Sequence, residues 1–127
     1  MLTNAPVITM IPVVDLDRAR NFYEKKLGLK VAADFPGGIR FSAGAGTAIS
    51  LYQRPQTKAD HTVANFEVDN VEAEVKALTA QGVQFEQYDM PQYGLKTNSL
   101  GISDAQGVII AWFKDTEGNI LSITQNR

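Results

Sequence analysis

The segment Val13-Val14-Asp15-Leu16, followed at a helix's length by Leu27-Gly28-Leu29, decides the fold of this 127-residue chain. The same arrangement begins again at Val68-Asp69-Asn70-Val71, 55 residues after the first, and ends at Gly82-Val83. A strand-like run precedes each copy, and further strand-like runs follow it. A repeat of this length indicates one supersecondary unit used twice. We therefore expect two modules in tandem, related by pseudo-twofold symmetry.

Length and composition limit the class of protein. With 44% hydrophobic residues, a chain of this size buries about two-thirds of its unfolded surface in one core. We expect a single domain over residues 1–127, with module one at about 5–54 and module two at about 60–127. The absence of cysteine excludes disulfides, thiolate metal sites and a cysteine nucleophile.

The net charge and the N-terminal sequence argue against two classes of partner, nucleic acids and membranes. The net charge is −2, with acids and bases interspersed, so the chain lacks the basic surface that nucleic acids or anionic membranes attract. Residues 1–6 do not have the pattern of a secretory signal, and no run of about 18 apolar residues occurs. We expect a cytoplasmic protein with neither a nucleic-acid nor a membrane partner.

Helix signals occur in both modules. Asp15 is a plausible N-cap for the first helix, and Gly28 ends it. Before the second helix, Asp69 and Glu72 have the spacing of a capping box, while Asn70 is an equally good N-cap. The predicted strands are Val7–Ile11, Lys30–Asp34, Ile39–Phe41 and Ala48–Tyr52 in module one, and Thr62–Val68, Val83–Tyr88, Val108–Phe113 and Asn119–Thr124 in module two.

One connection stands out by its length. Residues Asp89–Gln106 form the longest segment that we predict to be irregular. Long ordered loops in compact domains are usually functional. We expect this segment to be a lid or a rim.

Alternation along the strands indicates a mixed sheet face that carries hydroxyls, an amide and aromatic rings. This face suits a small-molecule cleft, although a solvated sheet face would have the same pattern. Ile8 and Met10 are apolar on this face and need cover, which favours the cleft. Trp112 and Phe113 are adjacent, so one enters the core and the other faces the cleft. The mixed face comprises Ala48, Ser50, Tyr52, Val63, Asn65, Glu67, Ile120, Ser122 and Thr124.

Three motifs resemble the vicinal oxygen chelate superfamily, which contains glyoxalase I, extradiol dioxygenases and the fosfomycin- and bleomycin-resistance proteins. They are Val13–Tyr23 with Leu27-Gly28-Leu29, Phe66–Val71, and Phe113–Asn119. The resemblance covers essentially the whole chain. It implies an α+β fold in which two tandem βαβββ modules form a U-shaped mixed sheet around a cleft, and commonly a homodimer.

The resemblance also implies where a divalent metal would bind in the enzymes of that superfamily. The donor positions on the first and last strands of the two modules are matched here by Ile8, Ser50, Val63 and Ser122. Two of these side chains have no lone pair, and a neutral serine hydroxyl is a poor substitute for imidazole or carboxylate. Among their same-face neighbours, His61 is the one strong ligand. We expect no metal and no cofactor.

Several residues have ordinary interpretations that we favour over functional ones. His61 lies in a polar stretch before a strand and is expected to be an exposed loop residue. Glu67, Glu86 and Asp89 could attract a cation, but solvated charge is the simpler interpretation. Ser50 and Ser122 lie mid-strand without a nucleophile elbow, so they are expected to be pocket walls.

The sequence therefore predicts a small-molecule-binding protein that captures a planar or antibiotic-like ligand without a metal. Two alternatives stay open: a metal-dependent lyase, isomerase or transferase of the superfamily, and a metal-independent enzyme whose acid–base residues are Tyr88, Asp89 or Tyr93. No catalytic residue is assigned. The predicted binding residues are Ile8, Met10, Ser50, Tyr52, Val63, Asn65, Trp112 and Ser122.

Overall fold

The structure, a computed structural model, describes residues 1–105 and 107–126. Its contacts divide the chain into two compact units, Met1–Lys58 and Ala59–Arg127. Each unit contains a four-stranded mixed sheet and one main helix. The expected α+β class with tandem βαβββ modules is confirmed.

The first unit follows the order strand, helix, three strands. In the sheet the strand order is β1-β4-β3-β2, with β1 parallel to β4 and the other pairs antiparallel. The elements are β1 (Thr9–Val13), α1 (Leu16–Asn21) continued by a π turn (Phe22–Lys26), β2 (Lys30–Phe35), β3 (Gly38–Ser42) and β4 (Ala48–Gln53).

The core of the first unit lies between α1 and one face of its sheet. Tyr23 is fully buried and its ring stacks on Phe41, with the ring centroids 6.0 Å apart. Burial of each large apolar side chain stabilises the fold by about 1.5–3 kcal/mol. The helix and its π turn contribute Ala19, Phe22 and Tyr23 to this core, and the strands contribute Ile11, Val13, Ile39, Phe41, Ile49 and Leu51.

The first strand differs from its prediction. It begins at Thr9 instead of Val7, whose side chain is exposed, and it continues through Pro12. Proline has no N–H to donate to a ladder, so it is confined to edge strands. Because β1 is the edge of its sheet, Pro12 is compatible with the strand.

The second unit repeats this plan with an insertion. Its sheet order is β5-β10-β9-β8, with β5 parallel to β10, and a separate two-stranded hairpin joins the helix region to β8. The elements are β5 (Thr62–Glu67), α2 (Val71–Ala80), β6 (Asp89–Met90), β7 (Leu95–Lys96), β8 (Ile102–Ala105), β9 (Val108–Lys114) and β10 (Ile120–Asn126).

Both helices begin at side-chain caps. The N–H of Arg18 donates to Asp15 Oδ1 over 3.0 Å, which confirms the predicted cap. For α2 the structure selects Asn70, whose Oδ1 accepts from the N–H of Ala73 over 3.0 Å. The α2 helix is ten residues long, and no helix in residues 1–105 and 107–126 has the length and hydropathy of a membrane span.

Two predictions for the second unit are wrong. The segment Val83–Tyr88 is not a strand: one bridge, between Phe85 and Phe113, joins it to β9. The segment Asp89–Gln106 is not irregular, because it contains β6, β7 and β8, while its last residue lies outside the described residues. The edge of β9 is divided, since β8 pairs with its first half and Phe85 with its second.

Candidate functional site

The second unit has a sheet face on the side opposite α2, which we call the open face. The helix side is packed: Val71, Val75, Phe113 and Leu121 are all at most 1% exposed. Strand pairing places Ser122 opposite both Asn65 and Trp112, so these three residues share the open face. The open face comprises Thr62, Asn65, Ile110, Trp112, Lys114, Ile120, Ser122 and Thr124, and Val63 is an extra residue of β5 between two of its paired positions.

The adjacent pair Trp112 and Phe113 is divided between the two sides. Phe113 is 1% exposed and makes an edge contact with Phe85, with the ring centroids 5.4 Å apart. Trp112, the single tryptophan of the chain, is half-buried on the open face. Phe113 is therefore a core residue, and Trp112 is available to a ligand.

A cavity of about 360 Å³ lies at one end of the open face. This volume is within the range of small-molecule sites. The cavity is lined by Asp60, His61, Thr62, Glu86, Tyr88, Met90, Leu95, Trp112, Lys114 and Ile120.

Two aromatic rings form one wall of the cavity. Tyr88 meets Trp112 edge-on, with the ring centroids 5.4 Å apart and the planes at 78°. The β6–β7 hairpin adds Met90 and Leu95 to the apolar lining. Gly101 (φ +86°) is buried against the carbonyl of Glu86, so the chain packs closely behind this wall.

Charged groups surround the rings. Lys114 Nζ lies 3.3 Å from Glu86 Oε1, and the lysine is the more exposed partner. The pKa of Tyr88 is raised above its ordinary value, first by burial and then by the negative charge of Glu86, while Lys114 opposes the shift. His61 is exposed as expected and lies 3.9 Å from Asp60. Tyr88 is therefore a neutral hydrogen-bonding group at neutral pH.

The predicted binding residues are distributed over both units. In the first unit, Met10 on β1 lies opposite the buried Ser50 on β4, Tyr52 is two residues further along, and Ile8 precedes β1. In the second unit, Trp112 lines the cavity. Asn65 and Ser122 share its sheet face, and Val63 is the extra residue of β5; all three are outside the cavity lining in the described part of the chain.

A hydrogen-bonded row occupies the centre of the open face. The Ser122 hydroxyl donates to Asn65 Oδ1 over 2.7 Å. The Asn65 amide in turn donates to Thr124 Oγ1 over 2.9 Å. Ser122 is 2% exposed, so its buried hydroxyl is satisfied by a neighbour on β5.

Ser122 of this hydrogen-bonded row occupies one of the four positions at which the resemblance implies a divalent metal ligand in the superfamily's enzymes. At the two matched positions of the second unit, Val63 has no donor atom and the Ser122 proton is directed to Asn65. At the matched positions of the first unit, Ile8 has no donor atom and Ser50 is a neutral hydroxyl. The residues present do not fit a divalent ion. Residues 1–105 and 107–126 also contain no group of three or more histidine, cysteine or carboxylate side chains arranged for a metal.

The sequence interpretation missed most of the cavity. The sequence predicts a strand over Val83–Tyr88, and the alternation of Gln84, Glu86 and Tyr88 along it is the signal that could have grouped Glu86 with Tyr88. Lys114 alternates with Trp112 on β9 and was equally accessible to this argument. Met90 and Leu95 carry no such signal, because a two-residue hairpin pairing brings them to the cavity.

Comparison with known proteins agrees with the fold. A sequence model of the Glyoxalase/Bleomycin resistance protein/Dioxygenase superfamily matches residues 6–123. Comparison with curated proteins gives no match. The tandem βαβββ modules agree with this match, and the chain belongs to the Glyoxalase/Bleomycin resistance protein/Dioxygenase superfamily.

Solved structures show the same architecture. TnmS3, an antibiotic binding protein from Streptomyces sp. CB03234, has a TM-score of 0.73 at 21% identity, covering 98% of this chain and 99% of that one. A glyoxalase/bleomycin resistance protein from the same strain has a TM-score of 0.69 at 22% identity, covering 97% and 100%. The glyoxalase family protein from Enterococcus faecalis has a TM-score of 0.69 at 19% identity, covering 98% and 99%.

Proposed function

We propose that this protein binds a planar or antibiotic-like small molecule and holds it without a metal ion. The cavity beside Trp112 and Tyr88 carries the proposal. Two rings at a steep angle offer a planar ligand one surface for stacking and one for an edge contact, at low entropic cost. The likeness to TnmS3, whose name describes antibiotic binding, supports the same ligand class.

The metal-free part of the proposal rests on donor chemistry. Two aliphatic side chains and two serine hydroxyls occupy the superfamily's donor positions, and Ser122 is already hydrogen-bonded to Asn65. We propose that Ser50, Asn65 and Ser122 orient polar groups of the ligand, and that Ile8, Met10, Tyr52 and Val63 add apolar surface. The homodimer and the cytoplasmic location stay predictions.

Fluorescence of the single tryptophan tests the proposal directly. Titration with planar cationic natural products and aromatic metabolites is expected to give saturable quenching of Trp112 by at least one compound. Tyr88→Leu removes the ring that faces Trp112 and is expected to weaken that binding about tenfold, which corresponds to an aromatic contact of about 1.4 kcal/mol.

Tyr93→Leu is the matched control, because Tyr93 is 75% exposed and is outside the cavity lining. It is expected to leave the affinity unchanged. If no compound in the panel quenches Trp112 saturably, the proposal is wrong. Catalytic conversion of a bound compound would instead favour the metal-independent enzyme, and a stoichiometric metal in the purified protein would favour the metal-dependent one.

A further inference from the structure

Tyr88 stands at the end of a segment that has just left the main sheet. Among the described residues, the last backbone hydrogen bond between this segment and β9 runs from the Glu86 N–H to the Trp112 carbonyl, at 2.8 Å. Beyond it, regular strand pairing cannot hold Tyr88 in place. Its ring nevertheless lies against Trp112.

Thr97 supplies the missing partner. Its Oγ1 accepts from the Tyr88 N–H over 2.8 Å and donates to the Tyr88 carbonyl at 3.3 Å. Its own N–H also donates to that carbonyl, over 2.9 Å. In the described part of the chain, all backbone hydrogen bonds of Tyr88 therefore go to Thr97.

The same pair also closes the inserted hairpin. Asp89 follows Tyr88 and pairs with Lys96, which precedes Thr97. Met90 and Leu95, the next pair, line the cavity. The Tyr88–Thr97 pair is thus the base from which both the aromatic wall and the apolar hairpin are positioned.

We infer that Thr97 is the positioning residue of the cavity: its hydroxyl replaces a strand partner and holds Tyr88 against Trp112. Its action on a ligand rests on the proposed function, whereas its action on the two rings does not. A hydroxyl is required because Thr97 Oγ1 both accepts from the Tyr88 N–H and donates to the Tyr88 carbonyl. Serine has such a hydroxyl and valine does not.

The test compares Thr97→Val with Thr97→Ser. Valine has the shape of threonine but leaves the part-buried Tyr88 N–H without its acceptor, a loss that is costly in a protein interior. In Thr97→Val we expect a red-shifted Trp112 emission maximum and a weaker Tyr–Trp near-ultraviolet circular dichroism signal. Where a quenching compound has been found, we expect about tenfold weaker binding. Thr97→Ser is expected to retain both the spectra and the binding.

Thr47→Val is the matched control, because this hydroxyl also donates to a backbone carbonyl, that of Gly44, in a turn of the first unit. It is expected to leave the Trp112 spectra unchanged. Unaltered spectra in a folded Thr97→Val protein would overturn the inference, and so would Thr97→Ser spectra that match those of Thr97→Val.

Hydrogen exchange in the unsubstituted protein keeps the inference falsifiable if Thr97→Val does not fold. The Tyr88 amide is expected to exchange well below the rate of an unstructured amide, and exchange at that rate would contradict the inference. Neither readout needs a ligand. Absence of a binding compound would count against the proposed function and leave the role of Thr97 decided by the spectra.

Discussion

At the scale of single residues, burial and two neighbouring charges set the pKa of Tyr88 in the cavity wall. Burial raises the pKa of the phenol, the Glu86 carboxylate raises it further, and the Lys114 ammonium lowers it. Of these two charges, the Glu86 carboxylate has the larger effect on the phenol. A ligand group that donates a hydrogen bond or carries positive charge is therefore favoured beside Tyr88 over an anionic one.

Two substitutions are expected to shift this titration in opposite directions. Glu86→Gln removes a negative neighbour and should lower the Tyr88 pKa, whereas Lys114→Met removes a positive neighbour and should raise it. Ultraviolet phenolate absorbance measures both, with Tyr88→Phe identifying the Tyr88 contribution. A shift of the same sign in both variants would contradict the electrostatic account.

The same pKa has a consequence for stability at high pH. The folded protein holds the Tyr88 proton more tightly than the unfolded chain does, so this contribution to stability is complete below the ordinary tyrosine pKa of 10.0. It is lost as the pH rises through the raised pKa of the folded state. In urea unfolding, the stability of the unsubstituted protein is expected to fall more steeply over this range than that of Tyr88→Phe.

At the scale of elements, the N-cap of α2 separates two alternatives that sequence spacing left equal. Asn70→Ala removes the acceptor for the Ala73 N–H and is expected to cost about 1 kcal/mol of unfolding free energy. Asp69→Ala should change it by less than about 0.5 kcal/mol. Chemical denaturation of the two variants provides the comparison, and equal losses would mean that Asp69 shares the cap.

Elements with a strong local pattern were predictable from the sequence, and those that depend on a neighbour were not. The cap of α1, the glycine helix stops, and the alternation in β4, in β10 and in β5 from Ala64 onward follow from local rules. Val83–Tyr88 has the composition of a strand, but β8 pairs with most of the β9 edge in its place. In β8, Ser103 and Asp104 interrupt any apolar alternation, so the sequence did not predict this strand. Which of the two segments, Val83–Tyr88 or β8, pairs with β9 depends on tertiary contacts, and local strand propensity carries no information about them.

At the scale of the whole molecule, the internal repeat predicted the two tandem modules and the resemblance predicted the superfamily. The site was predicted less well. Strand alternation predicted Asn65 and Ser122 on one face and left Trp112 and Phe113 as alternatives for the aromatic residue, which the structure decides in favour of Trp112. The cavity wall also needs Tyr88, which is positioned through Thr97. A hydroxyl that substitutes for a strand partner has no periodic signature in a sequence.

The metal-free proposal is tested on the whole protein. Elemental analysis after purification is expected to find no stoichiometric divalent ion, and thermal unfolding should be the same with a chelator as with added zinc, nickel or manganese. A quenching compound should instead stabilise the protein by about 2.7 kcal/mol at a hundred times its dissociation constant. A retained ion whose removal lowers the melting temperature would contradict the proposal.

The register shift between β5 and β10 has a consequence for engineering this surface. Ile120 pairs with Thr62, whereas the next residue, Leu121, pairs with Ala64, so Val63 is an extra residue in the strand. Regular alternation would turn Thr62 and Asn65 to opposite sides, and the extra residue lets both face the same way. Deletion of Val63 would therefore make the pairing regular with Thr62 still on the Asn65 side, whereas a regular pairing that kept Val63 would turn Thr62 away from the cavity.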